Sequence, residues 1–101
     1  MIPLLGWAVA AGIGAAVGAL VAVALLEYTK IKEWFHANTY VDKDHVRAVF
    51  QQAMANGDYK VVQCGFNRKT KELTAVKGWQ AKERDQELIA KGPAAIITEE
   101  C

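Results

Sequence analysis

Residues 2–26 read IPLLGWAVAAGIGAAVGALVAVALL, a run without one formal charge. A helix rises about 1.5 Å per residue, so roughly 20 residues cross a hydrocarbon core about 30 Å thick. Trp7 and Tyr28 stand 21 positions apart. That is about 31 Å of helix, and amphipathic rings suit both membrane interfaces. Pro3 sits where a missing N–H costs a helix little. The run predicts an N-terminal transmembrane helix. The alternative is a cleaved signal peptide, with Ala22-Val23-Ala24 as a cleavage-like site. Against it, no Lys or Arg precedes the run, and the run exceeds an ordinary leader core. A helix buried in a soluble core is a third reading, but the remaining 75 residues could hardly cover it on every side.

Outward from that run, the chain changes character. All 12 Lys+Arg and all 11 Asp+Glu of this 101-residue protein fall in residues 27–101. The length excludes a multi-domain enzyme, and the wealth of aliphatic and aromatic residues excludes a wholly disordered chain. A net charge of +1 gives no prior for an acidic partner, and nucleic acid is not an expected one. Lys30, Lys32, Lys43 and Arg47 follow the apolar run while only the α-amino group precedes it. The positive-inside bias therefore expects a single-pass protein with its N-terminus outside and residues 27–101 in the cytosol.

Small residues recur along the run. Gly6, Ala10, Gly14, Gly18 and Ala22 fall every four positions, with Ala8, Gly12, Ala16 and Leu20 as a neighbouring row. On a helix these stack on one face, and small-xxx-small spacing lets membrane helices approach closely. The expectation is a packing face for another copy of the chain or for another membrane protein. The bland alternative is an Ala/Gly-rich anchor that faces lipid. Trp7 at one end, and Tyr28, Lys30, Lys32, Trp34 and Phe35 at the other, form the expected membrane-interface set, with lipid as a partner. Trp34 and Phe35 read equally well as core of the polar domain.

The pattern divides the chain into 1–37, a transmembrane helix with its juxtamembrane extension, and 38–101, a small cytosolic α/β domain. Asp42 reads as the N-cap of a helix from Lys43 to about Asn56, with Val46, Val49, Phe50, Ala53 and Met54 as its apolar stripe and Gly57 as its stop. Tyr59–Phe66 and Leu73–Trp79 read as a β-hairpin, Lys82–Lys91 as a short helix, and Ala94–Thr98 as a third strand. The expected fold is a membrane-anchored α+β protein: one N-terminal transmembrane helix, then an α-β-β-α-β domain with a three-stranded sheet.

Chemistry-bearing residues are sparse. The chain has no Ser, which excludes a serine nucleophile. No glycine-rich phosphate loop joins a strand to a helix. Cys64 falls on the buried face of its strand and reads as a small core residue. Cys101 lacks the three following residues that prenylation needs. Asp42, Asp44 and His45 could hold a metal, but capping and the helix dipole explain the two aspartates better, so no metal or cofactor is expected. His36 has no acid beside it and gets no catalytic role. Arg68, Lys69 and Lys71 crowd the hairpin tip, flanked by Lys60 and Lys77. They are a candidate phosphate or lipid contact, against the reading of a solvated loop. The functional expectation is a non-catalytic subunit, adaptor or scaffold in a membrane-associated assembly. A pore-forming or membrane-permeabilising protein is one alternative, and a membrane-tethered module for nucleic acid or nucleotide another.

Overall fold

The computed structural model describes residues 20–40, 42–70 and 72–98. Within them run β1 (Val21–Leu26), α1 (Tyr28–Asn38), β2 (His45–Ala53), β3 (Tyr59–Asn67), β4 (Glu72–Arg84), α2 (Gln86–Ala90) and β5 (Ala94–Ile97). The strands form one sheet in the order β1-β4-β3-β2-β5. β1 lies parallel to β4, and every other neighbouring pair is antiparallel. β2 thus runs in the same direction as β1, with two strands between them. A helical crossover is the usual way to join strands of one direction, and α1 supplies it.

This overturns the membrane-anchored fold. Val21–Leu26, the last six residues of the expected transmembrane helix, form a strand in register with β4 from Val21 opposite Trp79 to Leu26 opposite Arg84. Tyr28, expected at the membrane interface, opens a new helix and is buried. No helix among the described residues is long and apolar enough to cross a membrane; the 11 residues of α1 rise only about 16 Å. The single-pass reading, with its N-terminus outside and its domain in the cytosol, is corrected accordingly. The physical reason lies in the sequence VAVALL. An uncharged run of this kind carries no period that separates a helix from a strand, and here pairing with the 13-residue β4 decides.

The expected three-stranded sheet is also corrected to five strands. Residues 45–53 are a strand, not a helix. Asp42 does not cap a helix there. Its Oδ1 accepts from the backbone N–H groups of Asp44 and His45 at 2.8 and 2.9 Å, the turn-forming bonds that compete with helix formation. Gly57 stops no helix either. At φ +93° it makes the turn between β2 and β3, where the Met54 N–H reaches the Asp58 carbonyl at 2.8 Å. The apolar stripe at helical spacing splits between two faces. Val49 packs under α1, while Val46 and Phe50 lie on the opposite side. The hairpin of β3 and β4 is present, longer at its C-terminal end than expected, so that the helix after it shrinks to Gln86–Ala90.

The main core lies between α1 and one face of the sheet. Tyr28, Ile31 and Phe35, at i, i+3 and i+7, turn one helical face onto Val49, Val61, Trp79, Ala81, Leu88 and Ile97. A single carboxylate ties both helix starts. Asp85 accepts from the Tyr28 N–H at 3.1 and 3.2 Å and from the Leu88 N–H at 3.0 Å, capping α1 and α2 together. The second face carries its own apolar cluster of Ala48, Phe50, Cys64 and Phe66, with Val46, Leu73 and Val76 packed against it.

Candidate functional site

The two sheet edges differ. β5 is four residues long and follows Pro93. β1 offers six residues, with no charge, no proline and no bulge. Native edges are normally blunted by such devices, because an open row of N–H and C=O groups templates pairing with another chain. Val21 and Leu25 are 43 % and 46 % exposed, and Ala22 and Ala24 are exposed as well. Beside the strand lies a recess of about 290 Å³ lined by Ala22, Val23, Ala24, Asp58, Gln80 and Lys82. The Gln80 Nε2 donates to Asp58 Oδ2 at 2.7 Å, which fixes a polar floor next to the apolar strand. An extended segment laid along β1 finds main-chain partners at the edge and a mixed recess for one side chain. The sequence alone does not disclose this edge, because the uncharged run through Val21–Leu26 carries no period that tells a strand from a helix.

At the far end of the sheet, Asp42, His45, Tyr40 and Asn67 meet. The His45 Nδ1 bonds to Asp42 Oδ1 at 2.9 Å. Its Nε2 faces the Tyr40 hydroxyl and the Asn67 side-chain amide, both at 3.3 Å. With Nδ1–H given to Asp42, Nε2 is left to accept. The line of carboxylate, imidazole and hydroxyl lies on an open rim, where Tyr40 is 63 % exposed, and among the described residues nothing closes it off from water. The His45 side chain first, then the Asp44 N–H, holds the Asp42 carboxyl below its ordinary 3.8. A carboxyl depressed on folding contributes stability above its unfolded value and loses it as pH falls through the lower folded one. Carbon-detected NMR titration should place Asp42 below 3.8 in the native chain, and His45→Ala should move it up toward the ordinary value, with the backbone N–H groups still holding it partly down. An unmoved titration would show that the imidazole is not the cause. Among the described residues, no group of three His, Cys, Asp or Glu could hold a metal.

The residues singled out in the sequence are dispersed. Arg68 is committed to structure: its guanidinium donates to the Lys43 carbonyl at 2.6 Å and its N–H to the Asp44 carbonyl at 2.7 Å, binding the β3–β4 turn to the α1–β2 loop. Lys69 and Thr70 give their N–H groups to the Asn67 side chain. Lys71 lies outside the described residues. Lys77 sits 4.6 Å over the Trp79 ring. Of the membrane-interface set, Tyr28 and Phe35 are core and Trp34 packs beside them. Lys32 lies 5.2 Å over the Tyr28 ring and Lys30 is exposed. Of the small-residue row, Ala22 belongs to β1; Gly6, Ala10, Gly14 and Gly18, like Trp7, lie outside the described residues. Arg84, unremarked in the sequence, stacks 3.8 Å over Tyr59 and donates to Gln51 at 2.9 Å, and Gln51 in turn donates to the Leu88 and Gly92 carbonyls. This ties α2 to β2.

Comparison with known protein families, curated proteins and solved structures finds no match.

Proposed function

We propose that this chain is a non-catalytic subunit or adaptor that takes an extended segment of a partner protein along β1. The supporting observation is the state of that edge: six residues, uncharged, partly exposed and, among the described residues, unpaired on the outer side. Strand addition draws affinity from main-chain hydrogen bonds and specificity from alternate side chains. The recess beside Ala22 and Ala24 is the natural seat for one of those side chains. The open rim at His45 and the absence of any serine give catalysis no comparable support.

The test uses an array of extended heptapeptides that alternate apolar and polar residues, with binding followed by amide shifts in the full chain. Binders should perturb β1 and the recess. The double variant Val21→Lys, Leu25→Lys should lower their affinity at least about tenfold, because lysine on an edge opposes strand addition. Both side chains are nearly half exposed, so the melting temperature should change little. An array without binders, or binders indifferent to the two lysines, overturns the reading.

A further inference from the structure

The second face of the sheet is covered, yet no described element covers it. Phe50 and Phe66 are each only 3 % exposed, Val62 2 %, and Ala48 and Cys64 1 %. Cross-strand register puts Phe50 opposite Val62 and Ala48 opposite Cys64, so these side chains stand together on one face. Neighbours within a sheet shield the flanks of a side chain; the tip stays open unless another layer lies over it. Both described helices place their buried side chains in the other cluster, with Tyr28, Ile31, Phe35 and Leu88.

We infer that residues 1–19 dock on this second face as the missing layer of the domain. Four observations favour that occupant. The segment carries no charged residue, so it can enter a dry interface without an unpaired ion. Ten of its 19 residues are Gly or Ala, which lets a backbone come close to protruding phenylalanines. It is joined to the sheet at the right place. The segment leads into β1, whose Val21 stands opposite Trp79, and on β4 Gly78, Val76 and Leu73 lie just before Trp79. The latter two bound the apolar cluster, and Gly78 raises no side chain in the way. Reach is ample, because neighbouring strands lie about 4.8 Å apart and the cluster begins within two or three strands of β1. The other stretches outside the described residues are single positions or the last three of the chain, too short to span a five-stranded sheet.

Cys64 reports on this cover. It lies under it, and burial pushes its thiol up to about 12. In the full chain carrying Cys101→Ala, Cys64 is the one thiol left. Alkylation by a small maleimide should then be slow relative to the denatured chain. Placing charge in the segment, with Ile13→Asp and Val17→Asp, should raise the alkylation rate at least about tenfold while the amides of Ile31 and Phe35 stay protected from exchange. A second measurement does not depend on the folding of that variant. A photo-crosslinking residue at position 13 of the otherwise intact chain should bond within the same molecule to the peptides holding residues 46–50 or 62–66. Crosslinks only to a second copy or only to lipid overturn the proposal. So does a Cys64 rate that the two aspartates leave unchanged.

Discussion

Phe35→Ala should lower the unfolding free energy of the chain by about 3–5 kcal/mol, the usual cost of truncating a buried phenylalanine. Phe35 is fully buried and sits at the centre of the helix-covered core. Trp34 meets its ring edge-on at 5.6 Å, and the Arg47 guanidinium lies 5.8 Å over it. Truncation leaves a cavity between α1 and the strands, and α1 is the only long helix among the described residues. The loss compares with a total stability of about 5–15 kcal/mol for ordinary domains. Arg47 adds to the effect. It donates to the Phe35 and Thr39 carbonyls at 3.3 Å and to the Thr39 hydroxyl at 2.8 Å, so a shift of the helix end disturbs these bonds as well. Urea unfolding of the variant beside Trp34→Ala provides the check. Trp34 is half-buried, and its truncation should cost clearly less. Equal costs would mean that α1 does not present the face defined by Tyr28, Ile31 and Phe35.

How far the sequence disclosed this fold can be judged at particular residues. The β3–β4 hairpin was legible because Asn67–Glu72 is polar and turn-like between two runs of β-formers. The buried state of Cys64 was legible from strand alternation. β2 was not. Both its faces are buried, through Val49 on one side and Ala48 and Phe50 on the other. The two-residue period therefore disappears, and the remaining apolar positions fall at helical spacing by coincidence. Asp42 strengthened the error, since a side chain that accepts from following N–H groups serves a turn and a helix cap alike. β1 was illegible for another reason. Its partner β4 lies more than 50 residues away, and nothing local announces such a pairing. The candidate site followed the fold: once β1 was assigned to a membrane helix, no edge existed to be read. Arg68 and Lys69 were seen as charges, but the hydrogen bonds that commit Arg68 to the neighbouring loop are visible only in three dimensions.

Gln63→Leu should be the costliest change of a polar side chain, at about 2–4 kcal/mol. Gln63 is fully buried beneath α1. Its Nε2 donates to the Ile31 carbonyl at 3.0 Å, and its Oε1 accepts from the Trp79 indole at 2.8 Å. One amide thereby joins α1, β3 and β4. Leucine has nearly the same volume, so little of the loss comes from packing. It comes from the Trp79 N–H, left without an acceptor in a dry core, and from the helix carbonyl deprived of a donor. Gln63→Glu separates the two halves of the bridge. The carboxylate still accepts from Trp79 but opposes the Ile31 carbonyl, whereas the protonated acid can serve both. Burial and that carbonyl should raise its folded pKa above the unfolded value of about 4.3. The sign follows from linkage: the variant keeps its stability below the unfolded pKa and loses it as pH rises through the folded one. Measured against the native chain at each pH, Gln63→Glu should therefore be nearly as stable at about pH 4 and clearly less stable near pH 7, while the deficit of Gln63→Leu should be the same at both. A deficit of Gln63→Glu independent of pH would show that position 63 is open to water and does not link the helix to the sheet.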